Sequence, residues 1–431
     1  MGSVRVFTKS FGCSTNLADG EVLAGCLLKA GYELVSDVVS ADVVIYNTCA
    51  VKGPTENRMI DVLKRVPRGK KLIVVGCLPL INFERLCKEV RFDGVAGPAL
   101  GDRIVDIVEG VLRGEKISNL ENAQSSKPSL SLPRIRLNPV IGIIPISYGC
   151  LGSCAYCCVV FARGRLRSYT IGEIVNRVKK DLDEGVREFW LTSQDTACYG
   201  MDIGANLPEL LEAVCSVEGD FKVRVGMMTP NMASKILEKL IQAFKSNKIF
   251  KFVHLPVQSG DDQILMKMRR FYSTADFKKL VDAFRAEFPK ITLATDVICG
   301  FPGETEEAFE RTLQLVRDVK PDIVNISKFF ARPKTPAAEM EDPPSFSQIK
   351  ERSAALARLA AKIALEKNRG WIGWVGGILV DEVGKIKGTW VGRNFAYKPI
   401  VIRDGSNLLG KNVQVRILDA SSTYLKGEVM H

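Results

Sequence analysis

The stretch 140-VIGIIPISYGCLGSCAYCC-158 combines an apolar run with four cysteines that follow it within nine positions. The run from Val140 to Ser147 predicts a buried β-strand, so the cysteines lie in the loop after its carboxyl end. Cys150, Cys154 and Cys157 have the spacing C-x3-C-x2-C, and the aromatic Tyr156 precedes the third thiol. In α/β proteins, ligands bind at the carboxyl ends of the strands. The spacing therefore predicts a ligand site built from thiols.

The composition makes disulfide bonds an unfavourable explanation for the twelve cysteines of the chain. No segment approaches the ~20 consecutive apolar residues of a membrane span, and the N-terminus lacks an apolar signal core. We therefore expect a cytoplasmic protein of 431 residues with no membrane association. Cysteines of such proteins are metal ligands, catalytic thiols or small buried side chains more often than disulfides.

Three thiolates on one short loop suit a 4Fe-4S cluster in which one iron has no protein ligand. A structural zinc ion normally takes four ligands. Here the fourth could only be Cys158 or one of the two histidines, His254 and His431. The iron–sulfur cluster is the favoured interpretation, and zinc binding or simple packing of the thiols are the alternatives.

The pattern of apolar segments predicts an α/β protein with three domains. Residues 1–113 alternate apolar runs with amphipathic stretches, which indicates an open parallel α/β sheet. Residues 114–139 are rich in Ser, Asn and Pro and are predicted to be a linker. Residues 140–368 repeat a strand–helix unit six times and predict an incomplete (β/α)6 TIM-like barrel, with a doubly wound sheet as the alternative. Residues 369–431 have short alternating segments and many glycines, which predicts a small antiparallel β-barrel.

A second set of cysteines ends three predicted strands of the N-terminal domain. Cys13, Cys49 and Cys77 close the segments "VRVFTKSFGC", "ADVVIYNTC" and "KLIVVGC". Because the carboxyl ends of parallel strands share one edge, these distant residues are expected to converge. They predict a second 4Fe-4S cluster with an open iron; the alternative is three buried structural thiols.

The cysteine spacing resembles the fingerprint of the radical S-adenosylmethionine superfamily, and the whole arrangement resembles the methylthiotransferase family over nearly the full chain. The N-terminal segments "FGCSTNLADGE", "NTCAVKGPTE" and "VVGC" are similar to motifs of that family. So are "SYGCLGSCAYC", "FARGRLRSY", "HLPVQSG", "DVICGFPGET" and "ARPKTPA", in that order. The segment from Trp371 is similar to a TRAM domain, a β-barrel that binds RNA.

Within the family, "NTCAVKGPTE" and "TDVICGFPGET" resemble the archaeal and eukaryotic branch, which methylthiolates N6-threonylcarbamoyladenosine beside the anticodon of tRNA. The resemblance implies two uses of S-adenosylmethionine. One molecule methylates sulfur at the cluster of the first three cysteines, and another, at the cluster of the barrel cysteines, gives the radical that removes hydrogen from C2 of the adenine. Two residues depart from the family pattern, because Lys334 and Cys198 stand where glycine is usual.

The resemblance also implies residues that contact the ligands. Polar and aromatic residues at the predicted strand ends are expected to bind S-adenosylmethionine: Tyr156, Ser193, Gln194, Asp195, Gln258, Ser259, Arg270 and Asp296. The net charge of +11 favours an anionic partner. Basic residues near the first cluster loop and in the C-terminal domain are expected to contact RNA: Arg163, Arg165, Arg167, Lys385, Lys387, Arg393 and Lys398.

The expected partners are tRNA, an electron donor and a sulfur source, the last two not identified by the sequence, and the chain is expected to be a monomer. Three alternatives remain at this stage. The same chemistry could act on isopentenyladenosine in tRNA or on a ribosomal-protein aspartate. The chain could be an RNA-binding protein stabilised by zinc, or an iron–sulfur electron carrier without catalysis.

Overall fold

The computed structural model describes residues 3–49, 53–121, 123–125 and 127–430. These residues form a parallel α/β sheet, a half-barrel of six parallel strands and a small closed β-barrel, in this order. The predicted fold class is confirmed. None of the helices within these ranges is both long enough and apolar enough to cross a membrane.

The N-terminal sheet has six parallel strands in the order β2-β1-β3-β4-β5-β6. Its strands are β1 (Arg5–Ser10), β2 (Glu33–Val35), β3 (Val43–Thr48), β4 (Lys71–Gly76), β5 (Gly94–Ala96) and β6 (Ile117–Asn119). Its helices are α1 (Ser14–Lys29), α2 (Gly53–Lys64), α3 (Leu78–Ile81), α4 (Phe83–Glu89) and α5 (Ile104–Leu112). Apolar clusters cover both faces of the sheet, which explains why its central strands are continuous apolar runs. The predicted linker contributes β6 to the edge of this sheet.

The central domain contains two three-stranded parallel sheets that together curve into a half-barrel. The barrel strands are β7 (Ile141–Pro145), β10 (Glu188–Thr192), β11 (Lys222–Val225), β12 (Phe252–His254), β13 (Thr292–Cys299) and β14 (Ile323–Lys328), and a short hairpin pairs β8 (Ser147–Tyr148) with β9 (Arg167–Ser168). The sheets join where the backbone N–H of Phe250 donates to Val223 O, at 3.0 Å. The strands follow one another in chain order without reversal, which excludes the doubly wound alternative.

Helices cover the outside of the half-barrel, and the last one leads to the C-terminal domain. They are α6 (Val159–Arg163), α7 (Ile171–Asp183), α8 (Leu207–Cys215), α9 (Pro230–Lys235), α10 (Leu237–Phe244), α11 (Asp262–Lys267), α12 (Thr274–Glu287), α13 (Glu306–Val319) and α14 (Phe346–Arg369). The small closed barrel then has the order β15-β16-β17-β19-β18. Its strands are β15 (Val375–Val383), β16 (Thr389–Arg393), β17 (Pro399–Arg403), β18 (Asn412–Ala420) and β19 (Leu425–Val429).

A buried ion pair joins the N-terminal sheet to the half-barrel. Glu56 on α2 and Arg332, which follows β14, are 1% and 2% exposed and form a salt bridge. Arg85 and Asn82 donate to the other carboxylate oxygen of Glu56, each at 2.8 Å. Both carboxylate oxygens of Glu56 therefore have partners, and the carboxylate supplies the counter-charge of the buried Arg332 guanidinium.

We expect Glu56→Ala to lower the free energy of unfolding by about 3–5 kcal/mol, because it leaves the Arg332 guanidinium buried and unpaired. Urea unfolding followed by circular dichroism measures the change. The control is Glu366→Ala, which removes a solvent-exposed pair with Lys320 and should cost less than about 1 kcal/mol. Equal losses in the two variants would contradict the role given to the buried pair.

A second buried contact attaches the C-terminal barrel to the half-barrel. Tyr397 stacks against Phe250 and Phe252, with ring centroids 4.8 Å and 5.2 Å away, and donates its hydroxyl to Glu188 Oε1 at 3.0 Å. Glu188 is fully buried, and this burial, with the nearby Asp381 carboxylate, raises its pKa from 4.5 to about 8. The carboxyl group is therefore protonated near neutral pH.

This raised pKa makes the stability fall as the pH rises. Between the ordinary pKa of 4.5 and the folded value of about 8, the folded state holds a proton that the unfolded state has lost. Stability contributed by that proton is lost toward pH 8, by up to about 1.4 kcal/mol per pH unit. We expect Glu188→Gln, which is uncharged at every pH, to reduce the decline measured by urea unfolding between pH 6 and pH 8.5. The control is Glu428→Gln, at an exposed position of the C-terminal barrel, which should leave the pH dependence of stability unchanged. An unchanged pH dependence in Glu188→Gln would refute the assignment.

Candidate functional site

Both sets of cysteines line one cavity of about 470 Å³ between the N-terminal sheet and the half-barrel. The six are Cys13, Cys49, Cys77, Cys150, Cys154 and Cys157. The first three follow β1, β3 and β4, three adjacent parallel strands whose carboxyl ends share one sheet edge. The other three follow β7 at the carboxyl end of the half-barrel. The two domains therefore face each other with their ligand-binding edges.

Hydrogen bonds hold the strand ends of the N-terminal domain together around their thiols. The Asn16 amide donates to Asn47 Oδ1 at 2.7 Å, and the Asn47 amide donates to Asn16 O at 2.8 Å. These contacts attach the first turn of α1, which Cys13 precedes, to the end of β3, which Cys49 follows. Gly76 has φ +101°, and a Cβ there would lie 2.4 Å from Thr48 O, so only glycine allows the close turn before Cys77.

The loop of the second cysteine set is shaped by close backbone contacts. Gly149 has φ +78°, and a Cβ there would lie 2.0 Å from Arg165 O. Its N–H donates to Gln194 Oε1 at 2.7 Å. Gly152 N–H donates to Cys150 Sγ and Arg270 Nη1 donates to Cys154 Sγ, both at 3.2 Å. Donors aimed at sulfur stabilise thiolates and the ligands of iron–sulfur clusters.

Burial disfavours the ionised form of two of the thiols in this cavity. Burial raises the pKa of Cys77 to about 12 and that of Cys150 to about 11. A bound metal supplies the positive charge that favours thiolates, and binding it releases the protons. In the described part of the chain, no group of three or more His, Cys, Asp or Glu side chains is close enough to hold a single metal ion. A multi-iron cluster spreads its ligands more widely than one ion does, and two sets of three thiols fit such a group.

None of the candidates for a fourth zinc ligand is placed for that role within the described residues. Cys158 is 1% exposed and packs in an apolar cluster of the N-terminal domain, outside the cavity lining. His254 lines the cavity, but its Nε2 is hydrogen-bonded to Asp296 Oδ1 at 2.8 Å. His431 lies outside the described residues. The donor set at each site is therefore three thiols.

Six of the eight residues predicted to contact S-adenosylmethionine line the cavity: Tyr156, Ser193, Gln194, Gln258, Arg270 and Asp296. The Ser193 hydroxyl is buried there and has no hydrogen-bond partner. Arg270 is 8% exposed, and its guanidinium also donates to Tyr272 Oη and Pro256 O, at 3.0 Å and 3.2 Å. Its position beside the cysteine loop is therefore fixed.

The other two predicted contacts, Asp195 and Ser259, lie outside the cavity lining and have structural roles. Asp195 accepts hydrogen bonds from the backbone N–H groups of Ala197 and Thr229, both at 3.1 Å, and is 3% exposed. Ser259 is 1% exposed, and its hydroxyl accepts from Asp261 N–H at 3.2 Å. Their polar atoms stabilise the loops that follow β10 and β12. A contact of either residue with S-adenosylmethionine stays a prediction.

Three of the predicted RNA contacts form buried ion pairs, and their role in RNA binding stays a prediction. Arg163, Arg393 and Lys398 pair with Asp19, Asp381 and Asp322, at 2.9 Å, 2.9 Å and 2.7 Å. The Arg163 and Lys398 pairs join neighbouring domains, whereas the Arg393 pair lies within the C-terminal barrel. Three predicted contacts are exposed: Arg165, Lys385 and Lys387. Arg167 is half-buried and donates to Arg165 O and Arg163 O.

The cavity contains residues that the sequence did not indicate: Thr15, Asn16, Thr192, Arg224, Met227 and Thr229. Arg224, on β11, and Gly226, just after it, are two residues apart and therefore lie on the same side, which faces the cavity. That spacing was a usable signal, because an arginine on the inner face of a barrel strand is uncommon unless it has a partner or a ligand.

Comparisons with known proteins agree with this architecture. Family models match residues 144–316 as the Radical SAM superfamily, 5–97 as Uncharacterized protein family UPF0004 and 373–430 as the TRAM domain. A probable threonylcarbamoyladenosine tRNA methylthiotransferase of Pyrococcus horikoshii is 42% identical over 99% of this chain and 100% of its own. The threonylcarbamoyladenosine tRNA methylthiotransferase of Homo sapiens is 37% identical over 99% of this chain and 74% of its own.

Among solved structures, the radical S-adenosylmethionine methyltransferase TsrM from Kitasatospora setae has a TM-score of 0.58 at 15% identity. The alignment covers 78% of this chain and 75% of that one. At this identity the likeness concerns the fold alone, and it agrees with a half-barrel preceded by a parallel sheet.

Proposed function

The chain belongs to the threonylcarbamoyladenosine tRNA methylthiotransferase family, and we propose that it adds a methylthio group to C2 of N6-threonylcarbamoyladenosine in tRNA. It is a radical S-adenosylmethionine enzyme with a TRAM domain. The observation that carries the proposal is the shared cavity, which two sets of three thiols line from two different domains. A reaction that removes hydrogen from a ring carbon and then adds sulfur needs two reactive centres around one substrate.

The cofactors implied by the superfamily are a 4Fe-4S cluster and S-adenosylmethionine. We assign the cluster to Cys150, Cys154 and Cys157, and we assign a second 4Fe-4S cluster to Cys13, Cys49 and Cys77. When bound, these groups supply the radical and the sulfur that side chains cannot provide for an unactivated C–H bond.

The residues of the chain hold and orient these groups. Arg270 places a fixed positive charge beside Cys154 and is available to the carboxylate of S-adenosylmethionine. The unpaired Ser193 hydroxyl and the Gln258 amide supply hydrogen-bond partners on the same wall. On the opposite wall, Arg163 forms a buried pair with Asp19 and lowers the cost of ionising Cys77.

The exposed basic residues Arg165, Lys385 and Lys387 are the proposed phosphate contacts. Arg165 follows the first cluster loop, and the two lysines lie on the C-terminal barrel. One RNA would therefore contact two domains. The net charge of +11 favours this association. Under this proposal the protein acts where tRNA is processed, in the cytoplasm.

The two-cluster assignment predicts the iron content of cysteine variants. Purified anaerobically, the wild-type chain should hold about eight irons. Cys77→Ser and Cys150→Ser should each hold about four, because each removes a ligand of one cluster. The control Cys87→Ser, at an exposed position on α4, should hold about eight. Full iron content in Cys77→Ser would rule out a cluster on the N-terminal cysteines.

The division of labour predicts different products for the same variants. Under reducing conditions Cys77→Ser should still cleave S-adenosylmethionine to 5′-deoxyadenosine but give no methylthiolated RNA, whereas Cys150→Ser should give neither. Mass spectrometry of digested tRNA detects the product, and the substrates compared are threonylcarbamoylated tRNA, isopentenylated tRNA and a ribosomal protein with the target aspartate. Product from either of the last two, with none from the first, would overturn the proposed substrate.

A further inference from the structure

The catalytic cavity is adjacent to a second cavity of about 510 Å³ between β14, α14 and the C-terminal barrel. Arg224 and His254 line both cavities, so these side chains lie where the two meet. Arg224 is on β11 and points into the half-barrel. It is therefore placed to contact a substrate group that extends from the cysteines toward the second cavity.

Three aromatic rings hold the Arg224 guanidinium. Its Cζ lies 5.1 Å from the ring centroids of Trp190 and Phe252 and 5.4 Å from that of Tyr397. Rings that contact the face of a guanidinium fix its position, while its N–H donors point outward in the plane. The Nε–H of Arg224 is buried without a hydrogen-bond partner. The Arg224 guanidinium therefore has an N–H donor that no acceptor of the described residues uses.

Nearby carboxyl groups are occupied by other partners. Asp296 accepts from His254 and from Asn325, both at 2.8 Å. Asp381 pairs with Arg393, and Glu188 accepts from Tyr397. Among the described residues, Arg224 forms no salt bridge with any of them. Arg224 is half-buried and has no counter-charge among these residues, so a ligand that supplies an anion would stabilise its guanidinium.

The other two arginines of the catalytic cavity already have partners. Arg163 pairs with Asp19, and Arg270 binds Cys154 and Tyr272. Arg224 is thus the arginine of this lining that keeps its donors for the substrate, within the part of the chain that the structure describes.

We propose that Arg224 binds the carboxylate of the threonylcarbamoyl group and thereby selects the modified adenosine. This inference rests on the proposed function. The substituent on N6 ends in one carboxylate, and a planar guanidinium with donors in one plane matches a carboxylate in a bidentate pair. Because Arg224 lines both cavities, an N6 substituent that extends from the catalytic cavity toward the second one would pass this guanidinium. An adenosine with an apolar N6 group would leave this arginine buried and unpaired, which disfavours such a substrate.

The test compares a substrate that carries the carboxylate with one in which the carboxylate is a neutral methyl ester. One is an RNA hairpin with threonylcarbamoyladenosine, and the other carries the methyl ester of the same threonyl group. We expect the wild-type enzyme to lose about 100-fold in kcat/KM on the ester, the range expected for a charge-assisted hydrogen-bonded pair. Arg224→Gln should lose a similar factor on the acid and nothing further on the ester, so its ratio of acid to ester falls to about one.

Two controls separate recognition from structure. Arg224→Gln should still hold about eight irons after anaerobic purification, which shows that both cluster sites are intact. Arg317→Gln, at an exposed position on α13, should keep the wild-type ratio of acid to ester.

The outcomes decide between the possibilities. If Arg224→Gln slows both substrates equally and keeps the ratio, the arginine is structural and the inference is wrong. Equal use of acid and ester by the wild-type enzyme would also overturn it and leave the proposed function standing. No product from the acid with the wild-type enzyme, despite 5′-deoxyadenosine formation, would overturn the proposed function and this inference with it.

Discussion

Buried ion pairs between the first two domains fix the distance between the two ligand-binding edges, and the remaining features of the site depend on that distance. Arg163 pairs with Asp19 across the interface, and Arg332 does the same with Glu56. Tyr148 adds a hydrogen bond to Asp19 at 2.7 Å. Each charge is buried in the presence of its counter-charge, so sliding or opening of the interface would leave both uncompensated. The proposed sharing of one substrate by the two sets of thiols requires that these ion pairs stay formed.

Much of this arrangement was predictable because parallel strands buried on both faces leave a simple trace in the sequence. Cys13, Cys49 and Cys77 each end an apolar run, and chain topology alone then brings them to one edge. The partners of charged residues leave no such trace. The sequence shows that Arg163 and Lys398 are basic, but only the packed structure shows that Asp19 and Asp322 neutralise them. Residue type and charge therefore do not indicate which cations are buried in ion pairs.

The two departures from the family pattern have different local consequences. Lys334 adopts φ +64°, the left-handed conformation that glycine takes without strain, so this chain accepts a modest backbone cost at that turn. Cys198 is 1% exposed, and its thiol lies 3.2 Å from Asp195 Oδ2. The thiol that stands in place of glycine thus donates a hydrogen bond to a carboxylate that also accepts from the backbone of the loop.

The ring of Tyr397 belongs to the C-terminal barrel, yet it forms part of the aromatic cage around Arg224 in the half-barrel. The TRAM domain, whose exposed lysines are proposed to contact RNA, and the residue assigned to the modified base thus share one side chain. Where binding of the RNA stem changes the affinity for the modified base through this ring, binding of the base changes the affinity for the stem by the same factor. Affinity for the anticodon arm and affinity for its modified nucleotide are then two faces of a single coupled equilibrium.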